Sequence, residues 1–243
     1  MATTISTNVS LIFANMIALE KLKAIQGKKD LIVYIASPWV SDVIFPMSEF
    51  GISDPSVGST SSLTSEIIEE MTALDVDVKV CTLDYFSDVV KYKNPLEHLN
   101  PAERYEQAKR NSREIDLLSE FQSRGAMIYL NKAFHSKVIA TSGAIYDGSF
   151  NFTLSGYYRN RENGTLISNS GSMITTYRQK LSEMISTFFK EQNLATESIL
   201  KAKYSENQRI RVETRENWET LMREYSEIKK RSIDREMSRT RGI

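Results

Sequence analysis

Leu31-Ile32-Val33-Tyr34-Ile35 is an unbroken apolar run of strand length, rich in β-branched residues. A strand with apolar side chains on both faces is covered on both sides, so the run reads as a central strand of a buried sheet. It stops at Ala36-Ser37-Pro38-Trp39. Upstream, residues 8–25 carry Leu11, Ile12, Met16, Leu19 and Leu22 at helical spacing; Gly27 ends that helix and Lys28-Lys29-Asp30 form the turn into the strand. Downstream, residues 50–62 are rich in Gly, Ser, Pro and Asp and read as a loop. A helix over 63–74 and a strand over 76–83 follow, then an irregular stretch from Asp84 to Pro101. A long amphipathic helix over 102–124 ends at Gly125. Strands are predicted over 126–131, 135–141, 144–148 and 163–168, and a helix over 172–191. Alternating strands and helices give an α/β fold, a mixed β-sheet flanked by helices, with no internal repeat.

From residue 192 the texture changes. Glycine is absent until Gly242, proline is absent and charge is dense, so the tail reads as a charged helical C-terminal extension. Trp218, Leu221, Met222, Tyr225 and Ile228 form one helical stripe. That stripe either packs on its own domain or docks a partner or a second copy. The expected division is a domain over 1–191 and an extension over 192–243.

The 243 residues suffice for a sizeable core, and 31 basic residues balance 31 acidic ones. Charge balance argues against a basic coat for nucleic acid while leaving room for a local basic groove. The lone Cys81 allows no disulfide within the chain and no cysteine-based zinc site; in Val78-Lys79-Val80-Cys81-Thr82-Leu83 it reads as a buried strand residue, consistent with a reducing, cytoplasmic location. Met1 to Thr7 has no positive n-region, and no apolar run reaches membrane-spanning length, so no membrane partner is expected.

The chemistry concentrates further along. His135-Ser136-Lys137-Val138-Ile139-Ala140-Thr141 is followed by Asp147-Gly148-Ser149-Phe150-Asn151-Phe152-Thr153, and then by Glu162. On a strand, residues two apart face the same way, so the predicted strand sets the His135 imidazole beside the Lys137 ammonium. Gly148 permits a tight turn, and Ser149 and Asn151 add polar side chains there. A helix N-terminus just beyond would favour a bound phosphate. Glu162 can hold one imidazole nitrogen and fix its tautomer.

Taken together, the order and spacing resemble the phospholipase D superfamily, whose motif is His-x-Lys-x4-Asp with a trailing Gly-Ser-x-Asn. The likeness is to its short bacterial endonucleases, which carry one motif per chain, read Gly-Ser-Phe-Asn-Phe-Thr, and place an acid in an Asn-x-Glu-Asn context. Here those are Gly148 to Thr153 and Asn160-Arg161-Glu162-Asn163. The strong match covers about 35 residues. Tyr34 to Trp39 and the helix after 172 resemble the family more weakly. One departure is clear: the motif's aspartate position is Ser142. In the family that aspartate is usually read as supporting structure.

The resemblance implies a two-step reaction needing neither cofactor nor metal. One histidine attacks phosphorus to form a phosphohistidine. A second protonates the leaving oxygen and then activates water. Carried over, His135 is nucleophile or acid/base, Lys137, Ser149 and Asn151 bind the phosphate, and Glu162 orients His135. Lys132, Arg159 and Arg161 are candidate substrate-binding contacts beside the motif. The only other histidine, His98, lies in Asn94-Pro95-Leu96-Glu97-His98-Leu99 and has no motif around it. The second half of the site is therefore expected from a homodimer. A nuclease acting on DNA or RNA is the first reading. The alternatives are a phospholipase or phosphatidyl transferase, and a weakly active subunit that needs an ATPase or helicase partner, as in phage defence.

Overall fold

The structure, a computed structural model, describes residues 3–5, 9–42, 44–45, 62–84, 100–132, 135–149, 151–153 and 163–240. The chain forms two compact units, residues 1–84 with 116–200, and residues 85–115 with 201–243.

The first unit holds the sheet. Its strands are β1 (Thr3–Ile5), β2 (Ile32–Ala36), β5 (Asp77–Leu83), β6 (Met127–Asn131), β7 (Lys137–Thr141), β8 (Ala144–Gly148) and β9 (Gly164–Ser168). Their order is β1-β9-β8-β7-β2-β5-β6. β2, β5 and β6 are parallel, and every pairing from β2 through β7, β8 and β9 to β1 is antiparallel. The sheet is mixed, as the alternation of elements predicts. A separate antiparallel pair joins β3 (Ile44–Phe45) to β4 (Ser62–Leu63).

β2 is central because it can be: four of its five residues are buried. Helix α1 (Val9–Ile25) lies against β2 and β7, and α2 (Thr64–Ala73) against β5. Phe13 of α1 meets Tyr146 of β8 edge-on at 5.2 Å. Next along β8, Asp147 takes Lys180 of the helix Ile174–Phe188 (α4) at 3.5 Å. Successive strand residues point to opposite faces, so α1 and α4 cover opposite sides of the sheet. Burying a side chain such as Phe13, fully inaccessible here, contributes roughly 1.5–3 kcal/mol. Gly27 and Gly125 end their helices with φ of 73° and 103°. A left-handed residue after the last turn is what glycine supplies without steric cost.

The second unit pairs two helices, the first part of α3 (Pro101–Ser123) and most of α5 (Glu197–Thr240). α3 begins in a reciprocal capping box: Glu103 N donates to Asn100 Oδ1 at 2.9 Å, and Asn100 N donates to Glu103 Oε2 at 3.1 Å. The two helices run antiparallel, with Tyr105 stacked on Trp218 at 4.8 Å and Asn111 Nδ2 donating to Asn207 Oδ1 at 3.0 Å. Lys109 sits 5.4 Å from the Trp218 ring. The tail is thus one long charged helix. Of its predicted stripe, Trp218 packs on Tyr105, while Leu221, Met222 and Tyr225 are exposed. The Ile228 side chain lies outside the description. Among the described residues no helix is long and apolar enough to cross a membrane.

Candidate active site

Strand direction assembles one edge of the sheet. Ala36 pairs with Cys81 in parallel and with Val138 in antiparallel, and Lys137 pairs with Gly148. The carboxyl ends of β2, β5, β6 and β8 therefore meet the amino end of β7. Ligands of open α/β sheets bind outside such carboxyl ends.

Here Lys137 is the first residue of β7, and His135 stands exposed two residues before it. The sequence placed both on the strand. The strand starts at Lys137 instead, so side-by-side projection from one pleat is not what joins them. The Lys137 side chain turns back on the entering chain. Its Nζ donates to the His135 carbonyl at 2.9 Å and lies 3.2 Å from Nδ1 and 3.4 Å from Nε2 of the ring. Lys137 is only 6% exposed, so its charge is directed at the imidazole and away from bulk water. Nearly equal distances to the two ring nitrogens put the ammonium off the in-plane lone-pair axis of either, so it sets its charge against the ring as a whole. A phosphate entering here would offer the ammonium a stronger acceptor than the ring.

β2's exit walls the same place. Trp39 meets the His135 ring edge-on, with centroids 6.4 Å apart. Ser37 Oγ donates to Trp39 O at 2.6 Å and accepts the Phe152 amide at 2.9 Å. Ser41 N donates to Phe152 O at 2.8 Å. The exit of β2 thereby holds both the ring and the Gly-Ser-x-Asn turn. The sequence offers Ser37 and Trp39 as a strand end with a weaker family likeness and assigns them no role at the site. The available signal was a Ser-Pro-Trp triplet at the carboxyl end of a central strand.

Ser149 and Asn151 sit differently. Ser149 N donates to Asn163 O at 3.0 Å, and Asn163 N donates to Ser149 Oγ at 3.1 Å, closing the step from β8 to β9. Gly148 and Gly164 make room there: a Cβ on Gly148 would lie 2.5 Å from Asn163 O, and one on Gly164 2.3 Å from the Tyr146 ring. Asn151 buries its Oδ1 with no hydrogen-bond partner among the described residues. A buried amide oxygen left unpaired costs about 1–3 kcal/mol.

Lys132 is exposed just beyond β6, on the same edge. Arg159, Arg161 and Glu162 lie outside the described residues, as do His98, the loop residues 50–61 and the helix expected after Thr153. Cys81 is buried in β5, as its apolar run predicts, and burial pushes its thiol pKa up. Among the described residues no group of three or more His, Cys, Asp or Glu could hold a metal ion.

The motif's aspartate position, Ser142, ends up at the other end of β7. Ser142 N donates to Glu20 Oε1 and Ser142 Oγ to Glu20 Oε2, each at 2.8 Å.

No curated protein sequence matches this chain. Among solved structures, phosphatidylserine synthase from Haemophilus influenzae Rd KW20 superposes with a TM-score of 0.50 at 11% identity, over 94% of this chain and 45% of that one. This chain thus spans less than half of the synthase's length. Nuc, a phospholipase D family member from Salmonella typhimurium, gives 0.46 at 13% identity, over 80% of this chain and 96% of that one. NucT from Helicobacter pylori gives 0.41 at 13%, over 77% and 97%. At these identities the likeness to the synthase is one of fold. Residues 46–185, more than half of the chain, match the family described as cardiolipin synthase, PLD-like domain. With the His-x-Lys pair and the Gly-Ser-x-Asn turn on one sheet edge, the chain belongs to the phospholipase D-like family.

Proposed function

We propose that the chain is a metal-independent phosphodiesterase that cleaves DNA or RNA through a phosphohistidine on His135. The observation that carries the reading is the Lys137 ammonium held 3.2 Å from the His135 ring at the active edge of the sheet. In the first step the free ring nitrogen attacks phosphorus, a P–N bond forms and a P–O ester bond breaks. The leaving oxygen takes a proton from a second histidine. That histidine then accepts a proton from water as the water attacks the phosphohistidine. The P–N bond breaks, a phosphate monoester leaves and the His135 ring is restored. Lys137 and Asn151 face the non-bridging oxygens, Ser149 shapes the turn beside them, and Glu162 orients the ring. Lys132, Arg159 and Arg161 serve the flanking phosphates.

Only two histidines exist in the chain, and His98 has no motif around it. The second catalytic histidine therefore comes from His135 of a second copy, in a two-fold dimer. The phosphodiesterase domain is residues 1–191, and residues 192–243 are its helical extension. A lipid substrate would use the same groups, and a requirement for an ATPase or helicase partner would show as inactivity of the isolated protein.

The test is to incubate the protein in EDTA with plasmid, single-stranded DNA, RNA and phospholipid vesicles. Nucleic-acid cleavage that survives EDTA and disappears in His135→Ala supports the reading. Headgroup release from the vesicles without nucleic-acid cleavage contradicts the substrate assignment. Cleavage unaffected by His135→Ala contradicts the mechanism.

A further inference from the structure

Glu20 of α1 is the only acidic side chain with no exposure at all among the described residues. It lies 122 residues from Ser142 in sequence and yet accepts both of that residue's donors. Its Oε1 also accepts the Ile32 amide at 3.1 Å, at the start of β2. Lys23, one helical turn on, donates to Glu20 Oε2 and to Ser142 Oγ, both at 2.9 Å. One carboxylate thus ties α1, the entry of β2 and the exit of β7 together. The turn it grips is held from elsewhere too. Asn169 Nδ2 donates to Ser142 O at 2.9 Å, and Tyr177 Oη donates to Thr141 O at 2.6 Å. Gly143 leaves space for the ammonium, since a Cβ there would come within 2.8 Å of Lys23 Nζ.

We infer that Glu20 supplies from helix α1 the carboxylate that the motif lacks at Ser142, and acts as a positioning residue that fixes β7 and, through it, Lys137 and His135. This end of β7 thus holds one carboxylate and one ammonium, and both stand on helix α1. Ser142 is then an exchange of partners and leaves the site competent. β7 is five residues long and buried throughout, a stiff link between its two ends. A carboxylate accepting several N–H and O–H bonds is strongly held where it is. The inference rests on the proposed function for its catalytic part and on geometry alone for its structural part.

A charge-relocation cycle tests it, reading melting temperature and, on whichever substrate the parent cleaves, kcat and KM. Glu20→Gln should lower Tm by roughly 5–10 °C, because Lys23 and the two amides lose their anion. It should lower kcat by about 10–100-fold with KM little changed, the signature of a misplaced reacting group. Ser142→Asp alone should also lower Tm, since two carboxylates would then share one ammonium within about 3 Å. The double variant, Glu20→Gln with Ser142→Asp, restores one carboxylate. It should recover most of the Tm and kcat lost by either single change. Losses that simply add in the double variant overturn the inference. So does a Glu20→Gln protein whose Tm and kcat match the parent's. If Glu20→Gln does not fold, folding of the double variant supports the inference and its failure to fold overturns it. A parent that cleaves no substrate overturns the functional reading, and the Tm cycle still decides the structural one.

Discussion

At the carboxyl end of β7 every polar group of Ser142 is bonded: its N–H and hydroxyl to Glu20, its carbonyl to Asn169. At the amino end, Lys137 turns its ammonium onto an exposed imidazole, and on the same sheet edge Asn151 keeps a buried oxygen without a partner among the described residues. One strand thus joins an anchor at Ser142 to the edge that carries the His-x-Lys pair. The two ends of this five-residue element thus carry an anchor and the candidate site.

The contrast breaks most visibly at Lys137. Lys137→Met keeps the length and apolar stem and removes the charge. Cleavage should fall about 10²–10³-fold, the usual effect of removing one donor aimed at transition-state charge, with Tm little changed. A large drop in Tm with kcat preserved would make Lys137 an anchor like Glu20. Asn151→Ala should cost less, about 10–100-fold in kcat, and should leave Tm unchanged or raised, because an unpaired buried oxygen is removed. A clear fall in Tm would show that Asn151 Oδ1 has a structural partner.

A second unmet polar atom, in the second unit, sharpens the comparison. Glu114 on α3 buries Oε2 with no hydrogen-bond partner among the described residues, and burial pushes its carboxyl pKa up to about 8. The folded state then holds a proton that the unfolded chain releases near pH 4.5. Stability therefore falls as pH rises from about 4.5 to about 8 and levels off above that. Glu114→Gln should flatten this slope and raise Tm by a few degrees at pH 8, with kcat on any substrate unchanged. A parent whose Tm is flat across that interval would show Glu114 ionised in the fold. The outcome distinguishes an unmet group that serves a ligand from one that only weakens the fold.

Much of this was legible beforehand. The apolar run at Leu31 to Ile35, the helical spacing ahead of Gly27, and the strands up to Ser168 carry local patterns, and the structure follows them to within a residue or two. Gly27 and Gly125 announced two helix ends through a conformation other residues rarely take. What stayed hidden depends on distance along the chain. The three-residue β1 and two-residue β3 and β4 are too short to show a period. Nothing near Asn111 points to Asn207, 96 residues away, and nothing near Ser142 points to Glu20. At the site, residue types were readable and their contacts were not. The strand begins two residues later than expected, and the lysine reaches the imidazole by turning back along the chain. Trp39 and Ser37 act there through tertiary contacts that no local spacing encodes.

The central claim is that His135 becomes covalently attached to phosphorus. The most direct measurement is rapid acid-free denaturing quench of the parent and of His135→Ala during turnover of an oligonucleotide carrying ³²P at the scissile phosphate, followed by separation of protein from nucleic acid. Label is expected on the parent chain, lost on acid treatment as from a phosphoramidate, and none on His135→Ala. Product formation at full rate with no labelled protein, or equal labelling of both proteins, would contradict it.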